Sequence, residues 1–150
     1  MAQTCDPIAI ISDIHGNIEA AQAILADIRA QGIPRILNLG DTVGYGPDPE
    51  ACVDLVQAHC PINLCGNHDY AVLHDAEGFN PIARAAVDFV RARMQPKKGG
   101  DTPDRLRRWQ FLENLEPIFE EDGKEAMHAS PRQPITEYIP LHRPTKGTGP

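Results

Sequence analysis

Residues 62–69 read INLCGNHD, so that a short apolar run passes directly into an amide, an imidazole and a carboxylate. The same change occurs twice earlier in the chain. The run IAII at residues 8–11 precedes an aspartate and a histidine, and ILNL at residues 36–39 precedes a glycine and an aspartate. Short apolar runs bounded by turn residues are typical of buried strands in a parallel sheet. We therefore predict three strands, each ending in side chains suited to binding a metal or a substrate.

The spacing of these strand ends predicts an α/β fold. From Asp13 to Asp41 is 28 positions, and from Asp41 to Asn67 is 26, which is about one βαβ unit per step. Parallel strands joined by right-handed crossovers present their carboxyl ends at one edge of the sheet, where ligands of open α/β sheets bind. We therefore expect Asp13, His15, Asp41, Asn67 and His68 to gather in one crevice.

Helices are predicted between and after the strands. Asn17, Asn80 and Thr102 are residue types that cap helix N-termini, and the last two precede a proline that suits the first helical turn. A further short helix is predicted over residues 50–59. The first strand, residues 8–11, should be buried on both faces, as in a parallel sheet covered on both sides.

The last part of the chain is predicted to add a hairpin and a tail. Residues 118–119 and 124–129 have the pattern of an antiparallel hairpin, which would bring His128 to a strand end. Prolines and glycines are frequent after Ser130, a composition typical of a disordered chain end. We therefore divide the chain into a core domain, residues 1–129, and a C-terminal tail, residues 130–150.

Composition limits the classes of function. A chain of 150 residues suits one domain. A formal net charge of −7 argues against a nucleic-acid-binding surface, and we interpret Arg105, Arg107 and Arg108 as a solvated helix face. No apolar run approaches the length of a membrane span. Four scattered cysteines without an export signal indicate reduced thiols in a cytoplasmic protein.

The predicted crevice carries the donor set of a divalent-metal site. Carboxylate, imidazole and amide groups without a thiolate suit Mn²⁺, Fe or Zn²⁺ better than a soft metal or Ca²⁺. Asp41 is the central carboxylate and is placed to bridge two ions. Two ions about 3.5–4 Å apart clamp both reacting oxygens of a phosphate ester and lower the pKa of a bound water. Arg132 is a candidate contact for a substrate phosphate, and Tyr45 and His74 are candidates for the crevice wall.

These motifs resemble, in order, those of the calcineurin-like metallophosphoesterase superfamily. Its Asp-x-His, Gly-Asp, Gly-Asn-His-Asp/Glu and later strand-end histidine correspond to Asp13/His15, Gly40/Asp41, Gly66–Asp69 and His128. The resemblance covers roughly residues 8–139, and residues 41–49 and 127–134 resemble the small bacterial branch of the superfamily. It implies a four-layer α/β/β/α sandwich with a dinuclear metal centre.

The resemblance also implies a role for each site residue. The ligands of the two divalent ions would be Asp13, His15 and Asp41 for one ion, and Asp41, Asn67 and His128 for the other. His68 would donate a proton to the leaving oxygen, and Asp69 is a candidate for orienting it. Mn²⁺ is the first choice of ion, with Fe or Zn²⁺ as alternatives. The implied activity is hydrolysis of small phosphomonoesters or phosphodiesters by a hydroxide activated at the dinuclear centre.

The resemblance is incomplete in two places. The protein Ser/Thr phosphatases of the superfamily have Asp-Arg-Gly where this chain has Gly44-Tyr45-Gly46, so that subfamily is disfavoured. The closing Gly-His-x-His motif, which supplies one more histidine to each metal, does not follow His128, and His142 is the only later histidine. We therefore expect a C-terminally truncated sandwich with three protein ligands for each ion and reduced metal affinity.

Two other hypotheses are considered. A non-catalytic remnant or scaffold of the same fold fits the missing ligands, whereas retention of the other motif residues favours an enzyme. A Rossmann-type nucleotide-binding module fits poorly, because the first strand is not followed by the glycine pattern that cradles a pyrophosphate. Missing strands would leave an exposed sheet edge, and we predict a homodimer that covers it.

Overall fold

Three parallel strands form the sheet that the spacing of the strand ends predicts. The computed structural model describes residues 7–139. Its strands are β1 (Ile8–Ile11), β2 (Arg35–Asn38), β3 (Ile62–Asn63), β4 (Ile118–Glu121) and β5 (Lys124–Met127), and its helices are α1 (Ile18–Ala30), α2 (Pro49–His59), α3 (Asn67–Leu73), α4 (Pro81–Met94) and α5 (Pro103–Glu113). The parallel sheet has the order β1-β2-β3, and β4 and β5 form the predicted antiparallel hairpin.

The predicted helix caps are confirmed. The side-chain oxygen of Asn17 accepts a hydrogen bond from the amide of Ala20 at 3.0 Å. Asn80 caps α4 through the amides of Ile82 and Ala83, both at 3.0 Å, and Thr102 caps α5. Each cap satisfies amides that the first helical turn leaves unpaired, so these three side chains fix where the helices begin.

Helices α1 and α2 cover one face of the sheet. Ala9, Ile11 and Ile36 of the strands pack with a buried cluster that includes Leu25 of α1 and Val56 of α2. A second cluster joins α2 to α3, α4 and α5 through Val43, Val53, Val72, Val87, Val90 and Leu112. Burying each such side chain stabilises the fold by about 1.5–3 kcal/mol, so the two clusters hold the helices that position the strand ends.

The opposite face of β1 corrects the sequence prediction. Ile10, expected to be buried, is 61% exposed. The hairpin stands against this face, and between them lies a cavity of about 430 Å³. Its lining combines apolar side chains such as Ile8 and Phe119 with charged ones such as Arg35 and Glu121. The prediction of burial on both faces is wrong. An apolar run shows that a strand favours burial, but the elements that pack against it decide how much of its surface is buried.

Two arginines of α5 form ion pairs, which corrects the interpretation of this helix face as solvated. Arg108 donates to Asp54 of α2 through Nε at 2.8 Å and Nη2 at 2.5 Å, and Arg107 donates to the same carboxylate at 2.7 Å. Hydrogen bonds from Arg108 first, and then from Arg107, lower the pKa of Asp54. These side chains therefore bind α5 to α2 instead of forming a solvated basic face.

No helix in the described part of the chain has the length and apolar character of a membrane span.

Candidate metal centre

The candidate site lies where the three parallel strands end. Asp13 and His15 follow β1, Asp41 follows β2, and Asn67 opens α3 just after β3. Main-chain hydrogen bonds continue beyond the strands, from the amide of Asp13 to the carbonyl of Gly40 at 3.0 Å and from that of His15 to Asp41 at 2.8 Å. The loops are thus held in register with each other, and the predicted gathering of these residues at one edge is observed.

Three of these residues have an unusual backbone conformation. The φ angles are 59° at Asp13, 49° at His15 and 54° at Asp41. A residue with a side chain pays about 1–3 kcal/mol for a sparsely populated backbone region, and such strain concentrates at functional sites. The strain is held by the main-chain pairing of the two loops, and it falls on three residues that the resemblance predicts to be metal ligands.

The carboxylate of Asp41 lies between two imidazoles. Its Oδ1 accepts a hydrogen bond from the amide of His68 at 2.8 Å. Its Oδ2 lies 3.5 Å from Nε2 of His15 and 3.6 Å from Nε2 of His128. One oxygen is therefore fixed by the main chain, and the other is presented to both histidines.

Two overlapping groups of donor atoms surround Asp41. Asp13, Asp41 and His128 form one group and His15, Asp41 and His68 the other, with the donor atoms of each group within 4.8 Å of one another. The Nδ1 atoms of His68 and His128 are buried without a hydrogen-bond partner. Carboxylate and imidazole donors clustered in this way fit divalent metal ions of the Mn²⁺, Fe or Zn²⁺ kind. Which residue binds which ion stays a prediction, and Asn67 Oδ1 here accepts a hydrogen bond from His128 at 3.0 Å.

In the metal-free protein, burial and neighbouring like charges disfavour the charged forms of Asp41 and His68. Burial, and then the charges of Asp69 and Asp13, raise the pKa of Asp41 well above its ordinary value. Burial first, and then His15 and His128, lower the pKa of His68 to about 4. A divalent cation is the largest local charge in a metal site and reverses such effects on carboxylates. The electrostatics therefore favour cation binding next to Asp41.

Comparison with known proteins places this arrangement in a family. The model of the calcineurin-like phosphoesterase domain matches residues 6–146. The chain belongs to the calcineurin-like phosphoesterase family. The family inferred from the motifs is confirmed, and so is the sandwich fold class, because metallophosphoesterases are among the structural neighbours.

Similar proteins match over most of this chain but only about half of their own length. An uncharacterized protein of Methanocaldococcus jannaschii is 38% identical over 139 residues, which are 88% of this chain and 53% of that protein. A metallophosphoesterase from Sphaerobacter thermophilus is 39% identical with a TM-score of 0.69, over 88% of this chain and 50% of that one. A hypothetical protein from Pyrococcus horikoshii OT3 shares the fold at 17% identity, with a TM-score of 0.67 over 88% of this chain and 58% of that one.

The contacts of Asp69 differ from those that the predicted role requires. Its fully buried carboxylate accepts hydrogen bonds from the amides of Thr42 at 3.3 Å, Val43 at 3.1 Å and Gly66 at 3.1 Å. The expected contact with the ring of His68 is absent among these bonds, and Nδ1 of His68 has no partner. Asp69 therefore ties the loop after β2 to the start of α3, and orienting the imidazole is not its function in this geometry.

Glycines allow the phosphoesterase motifs to approach each other closely. A methyl group on Gly66 would overlap the main-chain nitrogen and the carboxylate of Asp41. At Gly44, where φ is 147°, a methyl group would overlap the imidazole of His15 and press on that of His68. The sequence analysis treated Gly44 only as a departure from another subfamily. In the structure the absence of a side chain at Gly44 leaves room for the imidazoles of His15 and His68.

Residues beyond the hairpin bear on two further expectations. Arg132 is exposed and its guanidinium pairs with Glu137, so its contact with substrate stays a prediction. Residues 135–139, assigned to the tail, line a cavity of about 280 Å³ together with Asp13, Asn67 and His128. The rest of the predicted tail, residues 140–150 with His142, lies outside the described residues.

The two candidates for the crevice wall have different surroundings. The ring of Tyr45 lies 4.9 Å from that of His15 and 4.7 Å from that of His68, between ring centroids. The ring of His74 instead contacts Tyr70 at 4.2 Å, on the outside of α3. Tyr45 therefore belongs to the phosphoesterase crevice, whereas His74 does not.

Proposed function

We propose that this chain is a metal-dependent phosphoesterase that hydrolyses phosphomonoester or phosphodiester bonds of small substrates. The observation that carries the proposal is the position of Asp41 Oδ2, which lies 3.5 Å from His15 Nε2 and 3.6 Å from His128 Nε2. A carboxylate oxygen between two imidazoles suits a ligand shared by two cations. Mn²⁺ is the proposed ion, with Fe or Zn²⁺ as alternatives.

The residues of this chain divide between holding the cations and handling a proton. Asp13, His15, Asp41, Asn67 and His128 would hold the cations. When bound, two divalent cations would lower the pKa of a water molecule and withdraw charge from the phosphate. His68 would donate a proton to the leaving oxygen. Its pKa of about 4 leaves it neutral near pH 7, and the nearby anionic phosphate of a bound substrate favours the protonated imidazole.

The first test is hydrolysis of bis(p-nitrophenyl) phosphate by metal-stripped protein, with and without added Mn²⁺. We expect turnover only with the metal. With phenyl phosphate, whose leaving oxygen is more basic and needs a proton, we expect a loss of about 10²–10⁴-fold in His68→Ala, the usual contribution of a general acid. His59→Ala is the matched control, because His59 is an exposed histidine of α2 that contacts Arg29. Folded protein without turnover at high Mn²⁺ would support the non-catalytic scaffold instead.

We also propose that two copies associate along the exposed sheet edge at β1. Ile10 is 61% exposed, and β1 ends the sheet without a charged residue in the strand, a combination that favours pairing between chains. We expect the mass in solution to rise from 16.5 kDa towards twice that value as concentration increases, and Ile10→Lys to prevent the rise. Ile82→Lys, at an exposed site on α4, is the control. A monomer mass at every concentration would contradict the proposal.

We propose a cytoplasmic location from the cysteines, as in the sequence prediction. Cys52, Cys60 and Cys65 are buried free thiols. Burial raises the pKa of each of these thiols, to about 12 for Cys52 and Cys65 and about 11 for Cys60, so they stay protonated and unreactive. Reduced cysteines that play no part in the crevice fit a reducing compartment.

A further inference from the structure

Aromatic rings surround the imidazole of His68. The ring of Tyr45 lies 4.7 Å from it and that of Phe79 lies 4.9 Å from it, between ring centroids. Tyr45 is 53% exposed, so one side of its ring is open to a ligand. Both rings are tilted against the imidazole, at 57° and 53°, so they flank His68, which is only 3% exposed.

A cavity opens between these rings. Its volume is about 280 Å³, and the residues that line it are Tyr45, Asn67, His68, Gly78, Phe79, Asn80, Ala83 and Tyr138. None of these lining residues is an aspartate, glutamate, lysine or arginine, although the candidate cation site is adjacent through Asn67. We name this space the Tyr45–Phe79 cavity. It offers an uncharged, largely aromatic surface beside a charged site.

The size and lining of the cavity select a kind of ligand. Aromatic pairs prefer offset or edge-to-face contacts with centroids 4.5–7 Å apart, and each pair is worth about 0.5–1.5 kcal/mol beyond the area it buries. Drug-sized ligands occupy pockets of about 300–1,000 Å³, and the cavity lies at the lower limit of that range. It therefore suits one flat ring system with no charge of its own.

We propose that the Tyr45–Phe79 cavity binds a planar aromatic group carried by the leaving oxygen of the phosphoester. This inference rests on the proposed function, because His68 marks the side of the phosphate from which the leaving group departs. In the reaction the bond from phosphorus to the leaving oxygen breaks, and a bond to the oxygen of water forms. The leaving oxygen takes a proton from His68, and the proton lost by water restores the imidazole.

The test compares two diesters whose leaving alcohols have similar acidity, 4-chlorophenyl methyl phosphate and hexafluoroisopropyl methyl phosphate. With Mn²⁺ present, we expect kcat/KM to favour the aryl ester by about tenfold, the effect of two aromatic contacts. Tyr45→Leu removes one of these two contacts and should lower the ratio to about threefold. Tyr70→Leu is the matched control, because Tyr70 is a partly exposed tyrosine whose ring contacts His74 outside the cavity. Hydrolysis of both esters at equal rates would overturn the inference and leave the proposed function standing.

A binding measurement decides the matter if neither ester is hydrolysed. Calorimetry on the Mn²⁺-loaded protein should give phenylphosphonate about tenfold higher affinity than methylphosphonate, and Tyr45→Leu should reduce the difference to about threefold. Equal affinities would overturn the inference whatever the enzyme does. Adenosine 5′-phosphate distinguishes the source of the ring: tighter binding than phenylphosphonate would assign the cavity to a nucleobase, and weaker binding to a simple aryl group.

Discussion

Asp41→Asn is expected to abolish metal-dependent hydrolysis while making the metal-free protein more stable at neutral pH. Asn keeps the oxygen that accepts from the amide of His68 but removes the charge that two cations would share. The loss of activity should be about 10³-fold or more, because a metal supplies several kcal/mol to the transition state. The gain in unfolding free energy should be about 1–3 kcal/mol, the usual penalty of a poorly compensated buried polar group.

The predicted gain in the free energy of unfolding depends on pH. Burial, followed by Asp69 and Asp13, raises the pKa of Asp41 above its ordinary value of 3.8. At Asp41 the folded metal-free protein therefore retains a proton that the unfolded chain loses above about pH 4. The contribution of this group to stability falls as pH rises from there to the folded-state pKa of about 8. In Asp41→Asn this contribution is gone, so the fall should be shallower.

Urea unfolding of the metal-stripped proteins at pH 5, 6, 7 and 8 measures the difference, and calorimetry with Mn²⁺ measures the lost binding. Asp27→Asn is the control, because Asp27 is an exposed carboxylate of α1 that accepts from Gln31. A variant that is less stable than the parent throughout the pH range would show that Asp41 is not held in an unfavourable charged state.

Gly66→Ala is expected to destabilise the protein by about 3 kcal/mol, at the upper end of the range for overpacked sites. The φ angle of Gly66 is −88°, which any residue adopts, so the loss would be steric. The added methyl group would overlap the main chain and carboxylate of Asp41, and neither can move without breaking the hydrogen bonds that fix the loop.

Gly78→Ala separates this steric effect from the effect of backbone conformation. At Gly78 φ is 80° and nothing lies within 4 Å of an added Cβ, so the cost should be about 1–2 kcal/mol from the left-handed conformation alone. Urea unfolding followed by circular dichroism compares the two variants. Equal losses in both would mean that the loop after β2 moves to admit the methyl group, and that Gly66 is not required for the close approach.

The strand ends were predictable from sequence because the signals are local. An apolar run followed by turn residues marks each of β1, β2 and β3, and the rule for parallel strands brings their ends together. The short helix α3 was missed because its N-cap, Gly66, has no side chain to reveal it. The exposure of Ile10 was missed because the apolar residues of a strand indicate that it favours burial, but they do not show which element packs against its second face.

The surroundings of the remaining site residues depend on distant parts of the chain. Asp69 binds the amides of Thr42 and Val43, which are 27 and 26 positions away in sequence, and no local pattern indicates those partners. The ion pair of Arg132 was not predicted for the opposite reason. Its partner Glu137 is only five positions away, but the bend that brings them together has no pattern of strand or helix.

The main-chain frame of the crevice suggests a use for this fold in protein engineering. Amides and carbonyls join the loops after β1 and β2, and the buried carboxylate of Asp69 joins the second loop to α3. The positions of the donor side chains are therefore set mainly by atoms that substitution leaves in place. Exchanging Asn67 or His128 for another donor of similar size would change which ion the crevice selects while the loops stay where they are, so metal preference becomes a property open to redesign.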